Sequence, residues 1–308
     1  MKSILKVFLH LFIIVLSYSY QTYPVSADSK IKIVVTIPVL KDFVEVIGRD
    51  KVDVKSLITG LESEHTYTPK PSDIIAVKKA KLLFEVGIGL EIWVRSLIEN
   101  SGNKDLIIIT TSDGIQPIRD HIEESPPSHL FSKRSHSIGN SNPHVWLDPE
   151  NTKIMIKHIV SGIIRVDPYN KDYYLSNQAE YLSKIDKMTQ DIERKVKGLI
   201  NKKIITYHPA WPYFARRFGF VISDEIVIQI GSEPSSKKII NLIRKIKDEG
   251  IRVIVSEPQL SQNIPEMIAA ETGAKVVILT PLPGAISGTD DYISMMEYNA
   301  DQLVRGLQ

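Results

Sequence analysis

Asn142-Pro143-His144-Val145-Trp146-Leu147-Asp148-Pro149 places one imidazole between a proline and an apolar run that ends at a helix start. Val145-Trp146-Leu147 reads as strand-like, Asp148 suits an N-cap, and Pro149 suits the first helical position, where a missing N–H costs nothing. Working outward, two more histidines have similar settings. His65 lies in Glu64-His65-Thr66-Tyr67-Thr68-Pro69-Lys70-Pro71-Ser72-Asp73, upstream of a helix that Ser72 or Asp73 should cap. His208 closes the β-type run Ile204-Ile205-Thr206-Tyr207, and a helix is expected from Pro209. Each histidine therefore sits at or near a connection leading into a helix. In open α/β sheets, ligands bind beyond the strand ends at such connections. A cleft that collects His65, His144 and His208 is expected to hold one metal ion.

The surrounding chain alternates strands and helices. In the first half, strands are expected at 31–37, 52–58, 82–86 and 106–110, and helices at 40–47, from 72 or 73 to about 80, and through 91–97. β-branched runs bounded by proline or glycine mark the strands, and apolar residues three and four apart mark the helices. The second half repeats this grammar. Its strands are expected at 203–207, 226–230, 253–256 and 276–279, and its helices at 209–218, 236–248, 264–272 and 292–307. Gly219, Gly250 and Gly273 stand where left-handed C-terminal caps are wanted. Between the halves, a helix at 151–166 is followed from Pro168 by the longest helical pattern in the chain. Leu175, Ala179, Leu182, Ile185, Met188, Ile192, Val196 and Leu199 recur there at helical spacing. Roughly 30 residues make a rod of about 45 Å, which exceeds one lobe.

The expected class is α/β: two similar lobes with mostly parallel sheets, joined by one long rigid helix, with the metal site in the interlobe cleft. The expected divisions are a leader at 1–27, an N-terminal lobe at 28–166, the linking helix at 167–200 and a C-terminal lobe at 201–308. Within the first lobe, 117–143 has little apolar periodicity and reads as a mobile loop, with His121, His129 and His136 solvated. Gly87-Ile88-Gly89 lacks the third glycine of a dinucleotide fingerprint and reads as a tight turn.

Composition narrows the chemistry. The 308 residues are 43% hydrophobic with a formal net charge of +2. No basic block suggests nucleic acid as a partner. There is no cysteine, so disulfides and thiolate ligands are excluded, and any metal must take nitrogen or oxygen donors. Lys2 and Lys6, the apolar run 7–16 and Val25-Ser26-Ala27 form a secretory signal pattern, with the mature chain expected to begin at Asp28. The expected product is a soluble periplasmic protein without a lipid anchor.

Taken together, several stretches carry a resemblance. They are Glu64-His65-Thr66-Tyr67 with Pro71-Ser72-Asp73, Gly87-Ile88-Gly89-Leu90-Glu91-Ile92-Trp93, the 142–149 stretch, Tyr207-His208-Pro209-Ala210-Trp211 and Ser256-Glu257-Pro258-Gln259. In order and spacing they resemble the metal-binding receptors of bacterial ABC importers for zinc and manganese, the cluster A solute-binding proteins. The resemblance covers nearly the whole mature chain. It implies two α/β lobes on a rigid helix, a metal buried between them, and His65, His144 and His208 as its ligands. It also implies delivery to an ABC permease in the inner membrane and no enzymatic activity. Some manganese-type relatives carry glutamate at the third ligand position, where this chain has His208. Many relatives place an aspartate ligand in the last strand-to-loop connection, where this chain has Thr280 or Pro281.

The fourth donor is therefore open among Glu64, Glu257 and a water, with Glu64 preferred because it adjoins His65 and carries charge to offset the ion. Three imidazoles suit Zn2+, with Mn2+ the alternative because it favours more carboxylate oxygen. A monomer is expected. Trp146 and Trp211 are expected either to shield the site or to pack the core. A zinc hydrolase is the rival class, since three histidines beside Glu64 could activate water. No nucleophile pattern accompanies them, and nothing in the residues supports an adhesin.

Overall fold

The computed structural model describes residues 30–119, 141–227 and 233–308. The expected leader, the three loop histidines and part of the strand expected at 226–230 lie outside these residues. The first half forms β1 (Ile31–Val35), α1 (Pro38–Gly48), β2 (Val52–Ser56), α2 (Pro71–Lys79), β3 (Leu82–Glu85), α3 (Val94–Ser101) and β4 (Ile107–Thr110). Its four strands pair in parallel in the order β2-β1-β3-β4. Ile33, Val34 and Val35 are all buried, as a strand covered on both faces requires.

After α4 (Pro149–Val166) and α5 (Lys171–Lys197) come β5 (Lys203–Thr206), α6 (Pro212–Phe218), β6 (Val221–Glu225), α7 (Ser236–Glu249), β7 (Val253–Ser256), α8 (Asn263–Thr272), β8 (Lys275–Ile278) and α9 (Tyr292–Leu307). The second sheet, β6-β5-β7-β8, is also parallel and repeats the order of the first. In both sheets the chain reverses its winding between the first and third strands, which opens a crevice at their carboxyl ends. His208 follows β5 and Glu257 follows β7, so both flank that crevice in the second sheet. Gly219, Gly250 and Gly273 adopt positive φ at the ends of α6, α7 and α8, as expected.

Several local expectations are corrected. Val145–Leu147 is a 3-10 turn rather than a strand. Its N–H groups close locally, Val145 N onto Pro143 O and Leu147 N onto His144 O, so no strand partner is needed. The second strand of the second sheet is Val221–Glu225, which begins before the expected run, and Ile226 and Val227 continue its bonding to Thr206 O and Tyr207 O. It lies at a sheet edge and pairs only with β5, so Ser223, Asp224 and Glu225 are tolerated on it. α6 starts at Pro212 rather than Pro209. α2 is capped from Lys70, and Asp73 sits at the third helical position, taking the Lys70 N–H.

The 27-residue helix α5 spans about 40 Å and packs against α1 and α4 of the first half and α6 and α9 of the second. Its buried stripe is Tyr174, Asn177, Tyr181, Ile185, Met188, Ile192 and Val196, whereas Leu175 is exposed. The two lobes share one apolar core across this helix. Phe43 of α1 meets Tyr292 of α9 edge to face at 5.2 Å. Beside it, Asp42 accepts the Tyr181 hydroxyl at 2.7 Å and the Tyr292 N–H at 3.0 Å, which ties α1, α5 and α9 at one carboxylate oxygen. Gly60, at φ +99°, lets the loop after β2 lie against the second lobe. A β-carbon there would stand 2.7 Å from the Pro283 carbonyl.

Candidate metal centre

His65, His144 and His208 come from three separate connections and converge, with one ring nitrogen of each within 4.8 Å of the others. Nε2 of His65 and Nε2 of His144 lie 3.2 Å apart. The His208 ring centroid is 5.4 Å from that of His144 and 6.2 Å from that of His65. Glu64 joins them, its Oε1 being 3.4 Å from His144 Nε2 and 3.9 Å from His65 Nε2. The side chains of His144, His208 and Glu64 are 2%, 2% and 1% exposed, against 26% for His65. Glu64 Oε1 and His208 Nε2 are buried with no hydrogen-bond partner among the described residues. Buried polar atoms rarely stay unpartnered, so these mark a place built for something else.

The rings are oriented from behind. Asn142 Oδ1 accepts the backbone N–H of His144 and lies 3.1 Å from its Nδ1. The amide of Asn142 is itself fixed by donation from Nδ2 to the Pro209 carbonyl. This assigns Nδ1–H to His144 and turns the Nε2 lone pair inward. Asn142 was not singled out in the sequence, although an Asn-Pro pair two residues before a histidine is a turn signal that could have found it. On the Glu64 side, the Trp93 indole donates to the Glu64 carbonyl at 3.0 Å. Trp146 and Trp211 are fully buried and take both expected roles. Trp146 packs 5.3 Å from the His144 ring and donates to Pro281 O, and Trp211 donates to Glu257.

Burial holds two of the three imidazoles, His65 and His144, neutral. Burial, then the neighbouring His144, pushes His65 down to about 4. Burial, then His208, pushes His144 down to about 3. Burial also pulls on His208, but the adjacent Glu257 outweighs it and raises the pKa. Neutral imidazole is the form that donates a lone pair to a metal.

The remaining candidates are elsewhere. Glu257 is fully buried behind His208, with Oε1 2.8 Å from Nδ1. Thr280 is tied up, its hydroxyl donating to Leu282 O and its backbone N–H and carbonyl both engaged by Asn299. Asp291 caps α9, its side chain accepting the Ser294 N–H.

The sequence profile of the family described as the periplasmic component A of the zinc-uptake complex matches residues 33–306. The high-affinity zinc uptake system protein ZnuA of Bacillus subtilis is 30% identical over 286 residues, covering 90% of this chain and 89% of that protein. The manganese ABC transporter substrate-binding lipoprotein PsaA of Streptococcus pneumoniae is 26% identical over 99% of this chain and 98% of its own length. The iron ABC transporter substrate-binding lipoprotein MtsA of Streptococcus pyogenes serotype M1 is 28% identical over 100% and 98%. A crystal structure of ZnuA superposes with a TM-score of 0.79 at 29% identity, over 91% of this chain and 100% of that one. These proteins are receptors rather than enzymes, so the hydrolase reading falls. With the profile spanning all but the ends of the chain, this protein belongs to the ZnuA family, the metal-binding solute receptors of ABC transporters.

Proposed function

We propose that this chain is a periplasmic zinc receptor. It captures Zn2+ on His65, His144, His208 and Glu64 and hands it, as a monomer, to an ABC permease in the inner membrane. The observation that carries this reading is the spacing of the donors. Tetrahedral zinc with ligands near 2.0–2.1 Å has ligand-to-ligand edges of about 3.3 Å. The His65–His144 nitrogens at 3.2 Å and the Glu64–His144 pair at 3.4 Å already match such an edge.

Three nitrogens and one oxygen favour zinc over manganese, which prefers oxygen-rich octahedral surroundings. The engagement of Thr280 with Leu282 and Asn299 removes the position where relatives supply a further carboxylate. The location of Glu257 on the Nδ1 side of His208 favours Glu64 over it as the fourth donor. Export fits the leader pattern at 1–27, and among the described residues no helix is long and apolar enough to cross a membrane.

The test is direct competition between zinc and manganese on protein purified without chelator, read by elemental analysis and by isothermal titration. One zinc per chain, retained against equimolar manganese, is expected. Equal or tighter manganese binding overturns the zinc assignment. A metal-bound structure with Glu64 outside bonding distance overturns the fourth ligand.

A further inference from the structure

We infer that Glu257 is a positioning residue for metal capture: it holds the His208 ring by Nδ1 so that Nε2 faces the cleft. The inference rests on His208 being a ligand, as proposed above. Glu257 is one residue past the end of β7 and His208 is two past the end of β5, on neighbouring strands of the second sheet. Glu257 is completely buried. Its Oε1 lies 2.8 Å from His208 Nδ1, within reach though off the axis of an aligned hydrogen bond, and accepts the Trp211 indole N–H at 2.9 Å. The backbone around it is pinned, since its carbonyl accepts both Leu260 N–H and the Gln262 side-chain amide.

The first lobe supplies the contrast. There the corresponding connection after β3 also carries a buried carboxylate, Glu91. Its two oxygens are filled by the Thr36 hydroxyl at 2.6 Å, Val86 N at 2.8 Å and Gly87 N at 3.0 Å. Glu91 therefore latches its own loop and presents nothing outward. Glu257 makes no such latch. Its Oε2 is buried without a hydrogen-bond partner among the described residues, and its Oε1 is directed at a ring nitrogen.

A carboxylate only accepts hydrogen bonds, so the nitrogen it faces carries the proton and the far nitrogen carries the lone pair. An anion buried this deeply is stabilised when a cation binds on the far side of the imidazole, and the imidazole in turn becomes a stronger donor. His144 has a neutral acceptor, Asn142, in the same place. His208 is thus the ligand with a charged support, and Trp211 keeps that support from swinging away.

The experiment compares Glu257→Gln and Glu257→Leu with the unmodified full chain. Zinc affinity is read by competition with a chromophoric chelator, metal-free stability by thermal melting, and the His208 tautomer by imidazole 15N NMR of the metal-free protein. Glu257→Gln keeps the volume and the acceptor for Trp211 but removes the charge, and should weaken zinc about 10-fold. Glu257→Leu should weaken it by up to about 100-fold and mix the tautomers. Metal-free melting should change little in the glutamine variant and fall in the leucine variant, which leaves the Trp211 and His208 N–H groups without an acceptor. If the leucine variant does not fold, the glutamine variant carries the test. Zinc bound as tightly as in the unmodified chain, or an affinity loss in the glutamine variant that merely tracks a loss in melting temperature, overturns the inference. His208→Ala in the same assay separates the two readings. Wild-type affinity there sinks the three-histidine site itself, whereas loss there with intact Glu257 variants sinks only the role of Glu257.

Discussion

The two halves of the metal centre are held in different ways. Glu64 and His65 ride on the loop between β2 and α2; Gly60 of this loop packs against the second lobe, but the side-chain hydrogen bonds that order it join first-lobe residues. Trp93 donates to Glu64 O, Thr59 to Glu62, and Tyr67 to Asp73. His144 and His208 are held across the lobes. Asn142 donates to Pro209 O, Tyr213 donates to Asn142 O, and Trp146 donates to Pro281 O. Tyr292 donates to Trp146 O, and Arg217 pairs with Asp148 at 2.7 Å. By chain order His144 belongs with His65, but by bonding it belongs with His208. If the three histidines bind one ion as proposed, His144 and His208 form a pre-organised pair and the more exposed His65, with Glu64, is the looser half.

The largest expected effect breaks this comparison most directly. Structural zinc sites bind with about 10–16 kcal/mol, roughly 3 kcal/mol per ligand, so losing a well-held ligand costs about 100-fold or more in affinity. His208→Ala and His144→Ala should reach that loss and abolish most of the zinc-induced rise in melting temperature. His65→Ala should lose less, and Glu64→Ala less again. If His65→Ala proves as damaging as His208→Ala under chelator competition, the pre-organised pair does not exist.

An intermediate effect concerns the tie between the lobes. Burial raises the Asp42 carboxyl from 3.8 to about 6, despite the bonds from Tyr181 and Tyr292. Folding thus favours its protonated form, so Asp42 takes stability away as pH rises from about 4 to about 6. Asp42→Asn keeps one oxygen to accept both donors and removes that term. The variant should gain stability relative to the unmodified chain across this window, by up to about 3 kcal/mol. The paired melting curves cancel the opposite contribution of His65 and His144, whose lowered values cost stability as pH falls. A difference between the curves that is flat with pH would show that Asp42 carries no buried charge.

The smallest effects separate two of the three tryptophans, Trp146 and Trp93. Trp146→Phe leaves the Pro281 carbonyl without its donor and should lower stability by about 1–3 kcal/mol. Trp93→Phe releases only the Glu64 carbonyl within one lobe. It should weaken zinc by a few-fold, about 1 kcal/mol, and change the melting of the metal-free protein less than Trp146→Phe does. The reverse ranking in calorimetry would mean that the first-lobe loop is the stiffer half.

Most of the architecture was legible along the chain, because the signals that encode it are local. Apolar runs marked seven of the eight strands among the described residues, glycines marked the ends of α6, α7 and α8, and the periodic stretch after Pro168 marked the long helix. The exception is instructive. The apolar run from Ile226 is the stronger strand signal, yet the strand itself is Val221–Glu225, with Ile226 and Val227 continuing its bonding to Thr206 O and Tyr207 O; an edge strand tolerates polar residues, so hydrophobicity places its start poorly. The 142–149 stretch announced a histidine beside a helix start, and Asp148 does cap α4.

What sequence alone determined was therefore the alternation of elements, the linking helix and the three histidines as a candidate set. Only the tertiary structure decided which lobe holds His144, that Glu64 faces the same space as the imidazoles, and that Glu257 stands behind His208 rather than beside the ion. The physical reason is separation. Periodicity reports on neighbours three or four residues apart, whereas the bonds that settle these questions join positions such as Trp146 and Pro281, 135 residues apart, whose meeting depends on how two sheets pack against one helix.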